Sequence, residues 1–362
     1  MDVNSQNFRS TRKPKTFNNP ARFIEGWYWV IPSRNLTVGE VKPITILGRK
    51  LVIYRGQDRR AVIFDAYCPH MGAHLAEGTV EGSELRCYFH RWKFDAEGIC
   101  VDIPCLEEPL PMKLKAWPTA EKYGMIWIWT GEDPKQPLPY VPELEQAECD
   151  VAFASHFVAK CHPNVVMVNA IDAQHFETVH NLPLEIVLAK EELNQNAIIF
   201  SNTTHLSKNS FLIRLLRHFY KNIVTYSICY WYGSLGIVTL GLDFLRVHIM
   251  FALRLLEEGR TEGQILLLMK KRHSPWGRLY NLVVFWLAKM FGTRFLQGDR
   301  KISQTIQFNL KTPIKADQSI MQFINHLERQ KPLVWGTWNF VRSPDGEIRD
   351  NRDKWRDTLT ND

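Results

Sequence analysis

Cys68-Pro69-His70-Met71-Gly72-Ala73-His74-Leu75 and Cys87-Tyr88-Phe89-His90-Arg91-Trp92-Lys93-Phe94 are the two stretches on which the reading of this chain turns. Each contributes one thiol and one imidazole, in the order C-x-H, sixteen residues, C-x2-H. Two such loops facing each other at strand ends can hold two irons, one on Cys68 and Cys87, the other on His70 and His90. The same four residue types at short spacing also suit a structural zinc ion. Gly72 allows a close backbone approach, and Pro69 stiffens the first loop. His74 stands off the ligand spacing and reads as a local hydrogen-bonding residue. Cys100, Cys105, Cys149, Cys161 and Cys229 read as buried small hydrophobes.

Outward from these loops the first half has the grammar of strands. Trp27–Ile31, Pro43–Leu47, Lys50–Tyr54, Ala61–Asp65 and Met125–Trp129 are short β-rich runs separated by turn residues. Gly131 to Pro142 holds four prolines and reads as a linker. The second half mixes patterns: helix is expected over Val165–His180, Pro275–Leu310 and Ala316–Gln330, and antiparallel strand over Ser227–Leu240 and His248–Lys271. The fold class is therefore α+β, with an all-β N-terminal domain and a C-terminal domain of antiparallel sheet and helices. The expected segments are a polar tail (1–22), the N-terminal domain (23–131), a linker (132–149), the second domain (150–340) and a polar C-terminal tail (341–362).

A domain built on the two loops needs only about a hundred residues, so the rest of the chain requires its own account. It offers Asn169-Ala170-Ile171-Asp172-Ala173-Gln174-His175-Phe176-Glu177-Thr178-Val179-His180. Positions five apart are rotated by about 140° on an ideal helix. His175 and His180 reach one metal only if the helix kinks or ends between them. A carboxylate as third ligand would complete a facial triad with open positions for oxygen. On its own, a His pair of this kind is more often two satisfied polar residues than a ligand set.

The flanking residues resolve both ambiguities by resemblance. The Gly after His70, Leu75, and the Trp two residues after His90 resemble the Rieske signature, as do Gly26-Trp27-Tyr28-Trp29-Val30 upstream and Ile103-Pro104 downstream. Tyr88 stands where Pro is usual and Arg91 where Gly is usual, neither at a ligand position. The segment from Asn169 to His180 resembles the N-x2-D-x2-H-x4-H signature of Rieske non-haem iron oxygenase α subunits. Together the similarity runs from about Trp27 to Gln307. It implies a [2Fe–2S] cluster held by Cys68, His70, Cys87 and His90, with the two imidazoles raising its potential. It also implies a mononuclear Fe(II) on His175, His180 and a late Asp. Asp299, in Gly298-Asp299-Arg300-Lys301-Ile302-Ser303-Gln304, matches that context better than Asp243 or Asp317. By the same resemblance Asp172 bridges a cluster histidine of a neighbouring subunit to an iron histidine, Asn169 lies behind it, and the assembly is a homotrimer. A capping role for Asn169 stays open.

The activity this implies is hydroxylation of a hydrophobic organic substrate with O2, as a monooxygenase. Dioxygenation or demethylation of an aromatic substrate, and a plain Rieske electron carrier, are the alternatives. The wording around His175 is also similar to oxygenases of sterols and ketosteroids. No G-x-G-x-x-G fingerprint is present, so electrons are expected from a separate NAD(P)H-dependent reductase or ferredoxin.

Composition sets the remaining bounds. The 362 residues carry 45 Lys plus Arg against 38 Asp plus Glu, a net +7 that suits an acidic electron donor or an anionic membrane surface. No nucleic-acid motif accompanies it. Seven cysteines, an odd number, point to a reducing, cytoplasmic compartment. No secretory leader or transmembrane helix is expected. Lys208–Asn222 and Lys270–Arg294 combine basic residues with large apolar ones. Each reads either as a helix packed on the core with solvated cations or as a lipophilic entrance with peripheral membrane contact.

Overall fold

The computed structural model describes residues 16–134, 136–180, 187–204, 224–242, 245–256 and 259–333, with two short strands at 340–342 and 348–350. The amphipathic segment expected at Lys208–Asn222 and the alternative ligand Asp243 lie outside the described residues. The chain divides into two units. One is Pro20–Lys135 together with Pro332–Asp362; the other is Gln136–Lys331 together with the N-terminal segment.

The first unit is built from short antiparallel strands: β1 (Trp27–Pro32), β2 (Val41–Ile46), β3 (Arg49–Arg55), β4 (Ala61–Asp65), β5 (Thr79–Glu81), β6 (Glu84–Arg86), β7 (Lys93–Phe94), β8 (Cys100–Asp102), β9 (Ala116–Trp117), β10 (Thr119–Lys122) and β11 (Met125–Trp129). They form three sheets, ordered β1-β11-β10, β2-β3-β4-β9 and β5-β6-β7-β8. β11 is buried throughout, so Met125-Ile126-Trp127-Ile128-Trp129 is apolar without alternation. Val52, Tyr54, Phe64, Leu75, Leu85, Trp92 and Phe94 pack in one core cluster that also contains Cys68 and Cys87. Arg49 holds Asp65 through two hydrogen bonds of 2.9 and 2.7 Å, and the Trp117 indole donates to the same carboxylate at 2.9 Å. The segment after the second unit returns here: Leu333 N–H donates to Phe23 C=O at 2.8 Å.

The second unit is a seven-stranded antiparallel sheet, ordered β12-β18-β17-β16-β15-β14-β13. Its strands are β12 (Cys149–Ala159), β13 (Ala189–Asn194), β14 (Ala197–Thr204), β15 (Val224–Trp231), β16 (Leu235–Leu242), β17 (Leu245–Leu255) and β18 (Thr261–Lys270). Its helices are α1 (Pro163–Val168), α2 (Ala173–Thr178), α3 (Pro275–Phe295), α4 (Gln297–Ser303) and α5 (Gln318–Arg329). On α5, Ile320, Phe323, Ile324 and Leu327 are buried at the i, i+3, i+4, i+7 spacing of one helical face. Among the described residues no helix is long and apolar enough to cross a membrane.

Three expectations change. The helix expected over Val165–His180 is two short helices with a 3-10 turn at Asn169–Ile171. The helix expected to run from Pro275 to Leu310 breaks at Leu296 and ends at Ser303. The Gln304 side chain there donates to Val158 C=O at 2.8 Å, and Ile306 and Phe308 pack beside Cys161. Of the cysteines expected to be buried, Cys100, Cys161 and Cys229 are, whereas Cys149 is half-buried and Cys105 exposed.

Candidate metal centres

The first centre lies where two loops leave β4 and β6. The loop after β4 closes on itself: Cys68 N–H donates to Ala73 C=O and Gly72 N–H to Cys68 C=O, both at 2.9 Å. Gly72 has φ +75°, the left-handed conformation this turn requires, and a Cβ there would meet nothing within 4 Å. His74 accepts from Ala76 N–H at 3.2 Å and caps the following 3-10 turn. The second loop is closed by Cys87 N–H to Trp92 C=O at 2.8 Å. Arg91 sits at φ +63°, which explains why Gly suits this place; Arg91 also reaches over the Tyr88 ring at 5.8 Å.

The two thiols are buried. Burial pushes the Cys68 thiol up to about 11; backbone N–H groups of His70 and Met71 oppose this, and the nearby Cys87 sulfur adds to it. The imidazoles are a separate pair, His70 and His90, with ring centroids 4.5 Å apart. Trp92 stacks on His70 at 4.4 Å and 8°. A thiol pair beside an imidazole pair, with backbone N–H groups aimed at sulfur, fits a two-iron cluster.

The converging set is His175, His180 and Asp299. Its geometry begins with the break in the helix. Gly236 on β16 has no side chain where a Cβ would meet Met167 Sδ at 2.8 Å, so α1 lies close on the sheet. The carbonyls left without helical partners are taken up by side chains. Tyr230 donates to Met167 C=O at 2.6 Å, Ser319 to Ile171 C=O at 2.7 Å, and Tyr226 to Ala170 C=O. Asp172 then restarts the chain as the N-cap of α2, accepting from Gln174 N–H at 3.0 Å and His175 N–H at 3.3 Å. His175 Nδ1 lies 3.0 Å from Asp172 C=O, which leaves Nε2 free to face a metal. Helix α2 ends at Thr178, so His180 turns back: the two Nε2 atoms are 3.1 Å apart.

Asp299 comes from the first turn of α4, with Oδ1 3.1 Å from His180 Nε2 and 3.4 Å from His175 Nε2. Gly298 makes the approach possible, because a Cβ on it would stand 2.6 Å from Val179 Cγ1. Burial presses the His175 imidazolium down, but the hydrogen bond and charge of Asp299 and the Asp172 carbonyl outweigh it, so its pKa lies above the ordinary range. His180 goes the other way, lowered by burial and by His175 although Asp299 opposes this. Two imidazoles and a carboxylate on one side of a point are the donor set of non-haem Fe(II) sites.

Aromatic rings wall the triad. Phe295 stacks on His180 at 3.8 Å and 9°, Phe176 lies 4.7 Å from His175, and Tyr226 packs edge-on to Phe176 at 5.4 Å. Sequence reasoning passed over Phe295, Tyr226 and Gly298. Only Gly298, directly before the chosen Asp, carried a signal that could have been read. Asn169 is half-buried in the 3-10 turn, three residues before Asp172. Asp317 accepts from Ile314 N–H at 2.9 Å and caps its own turn.

Residues 26–118 match the Rieske [2Fe-2S] domain. A cholesterol 7-desaturase of Bombyx mori is 38% identical over 170 residues, 46% of this chain and 37% of that protein. The 3-ketosteroid-9-alpha-monooxygenase oxygenase component of Rhodococcus rhodochrous is 30% identical over 169 residues, 45% of each. The chain thus spans less than half the length of these curated relatives. Among solved structures, NdmA of Pseudomonas putida CBB5 with caffeine has TM-score 0.64 at 16% identity, covering 86% of this chain and 96% of that one. The carbazole-bound oxygenase and ferredoxin complex of carbazole 1,9a-dioxygenase has TM-score 0.62 at 16% identity, covering 86% and 91%. The chain thus carries a Rieske [2Fe-2S] domain at residues 26–118, is similar over less than half its length to the oxygenases and desaturase named above, and shares the fold of solved Rieske-type oxygenase structures.

Proposed function

We propose that this chain is an oxygenase component that uses O2 and externally supplied electrons to hydroxylate a hydrophobic organic substrate, by monooxygenation. The observation that carries the reading is the convergence of His175 Nε2, His180 Nε2 and Asp299 Oδ1 inside an aromatic wall, in a chain whose other unit is a Rieske domain. Cys68, His70, Cys87 and His90 would hold the cluster; His175, His180 and Asp299 would hold the iron. The iron, when bound, supplies O2 activation, and the cluster supplies electrons one at a time. The chain's own residues do the rest. Asp172 fixes the His175 ring through its backbone carbonyl, and the α2 cap keeps that carbonyl in place. Phe295, Phe176 and Tyr226 exclude water and give a lipophilic substrate an apolar surface beside the triad.

The partners in this reading are a separate NAD(P)H-dependent reductase or a ferredoxin, as in the carbazole oxygenase complex. A homotrimer in which Asp172 links one subunit's iron histidine to its neighbour's cluster histidine, with Asn169 behind it, belongs to the same reading. So do a reducing, cytoplasmic setting and peripheral membrane contact. The relative from Bombyx mori supports a second outcome at the same site, desaturation of a sterol. The test is an anaerobic preparation assayed for iron and sulfide, with an EPR spectrum after dithionite, then O2 uptake with sterols and ketosteroids. A Rieske signal with about one extra iron per cluster, and substrate-dependent O2 uptake, are expected. A Rieske signal with no Fe(II) uptake would leave an electron carrier.

A further inference from the structure

Helix α3 is apolar on both sides. Its inward face packs on the sheet: Phe285 is buried, Tyr280, Val284 and Ala288 lie beside it, and the Asn281 side chain donates to Asp150 at 2.8 Å. At about 100° per residue, Trp276, Leu279, Val283, Trp286 and Met290 fall within an arc of about 80° on the opposite side. That side faces out, with Trp276 81% exposed, Trp286 64% and Leu279 50%. A surface helix ordinarily turns polar residues outward, and one that is apolar all round needs a second apolar neighbour.

Charge narrows the neighbour. From Lys270 to Gly298 there are six Lys or Arg and no Asp or Glu. Arg278, Lys289 and Arg294 are exposed along the helix. The acids nearest its start, Glu148 and Asp150, are engaged by Lys271 at 2.9 Å and by Asn281. A second copy of the same face would bring like charges together across a two-fold contact. An anionic lipid surface accepts both the cations and the large apolar side chains, with Trp at the headgroup level.

We propose that the outward face of α3 lies in the interface of an anionic lipid bilayer and that lipophilic substrate enters the iron site from the membrane at the C-terminal end of this helix. The helix spans about 31 Å along the surface. Its last residue, Phe295, lies off the outward arc but is 42% exposed and stacks flat on His180, so the C-terminal end of the helix meets a ring of the triad. The entry route rests on the oxygenase reading; the docking face does not.

The experiment is sedimentation of the holoprotein with vesicles of phosphatidylcholine, alone or mixed with phosphatidylserine, at low and high salt. Wild type is expected to sediment with the mixed vesicles and to release in salt. Arg278→Ala with Lys289→Ala should weaken binding roughly 25-fold, about fivefold per cation. Trp276→Glu with Trp286→Glu should abolish it while keeping the Rieske EPR signal, the light-scattering mass, and O2 uptake with a water-soluble substrate. Wild type that stays in the supernatant, or a tryptophan variant that binds like wild type, overturns the proposal. So does a tryptophan variant of lower mass, which would assign the face to a second copy. Vesicle binding without any O2 uptake would leave docking intact and remove the oxygenase reading instead.

Discussion

Replacing Asp172 by Ala and by Asn separates two duties that one carboxylate performs. Its side chain accepts from Gln174 N–H at 3.0 Å and His175 N–H at 3.3 Å, and its backbone carbonyl meets His175 Nδ1 at 3.0 Å. Ala removes the cap, which costs about 1 kcal/mol, whereas Asn caps about as well as Asp. For a unit of this size that is about 2–4 °C in Tm. Asp172→Ala should therefore melt a few degrees early and lose iron on dialysis, because the carbonyl that orients His175 is no longer held. Asp172→Asn should keep wild-type Tm and iron content. If the carboxylate also links two subunits, Asp172→Asn should still lower steady-state turnover on the order of 10- to 100-fold. The assays are thermal unfolding by circular dichroism, iron content after dialysis, and O2 uptake with reductase present. Equal loss of Tm in both variants would refute the capping argument. Wild-type turnover in Asp172→Asn would confine the residue to capping.

Other outcomes follow from the same geometry. His180→Ala or Asp299→Ala should release the mononuclear iron and leave the reduced Rieske EPR signal unchanged; loss of that signal would mean the two centres are not independent. His90→Cys exchanges a neutral imidazole for a thiolate and should lower the cluster potential in direct electrochemistry. Gly298→Ala sets a Cβ 2.6 Å from Val179 Cγ1 and should cost roughly 1–3 kcal/mol along with iron affinity, with Val179→Ala as the rescuing second change. His326 is lowered to about 4 by burial, so the unfolded chain binds the extra proton between about pH 6.5 and 4. Its contribution is complete above that window and falls by as much as about 3 kcal/mol as pH drops through it. The urea midpoint of His326→Leu should slope less with pH there than that of the wild type.

The cluster loops were legible in the sequence because their ligands are local: each Cys and His pair lies within one turn-sized loop, and spacing carries the geometry. The α+β class was legible for the same reason, since strand and helix periods are local properties. His175 and His180 were legible as a pair but not as a geometry. Five-residue spacing is wrong for one helical face, and what brings the rings together is the end of α2 at Thr178, the cap at Asp172, and carbonyls taken up by Tyr226, Tyr230 and Ser319 from distant elements. Asp299 could be chosen from context, but its place beside the histidines depends on Gly298 meeting Val179, more than a hundred residues earlier in the chain. Which side of α3 faces out was beyond the sequence altogether, because a helix apolar all round has no periodicity to read. Only the packing of Phe285 on the sheet decides it. Spacing along the chain singled out the candidate ligands, and close packing between segments far apart in sequence decided how His175, His180 and Asp299 meet.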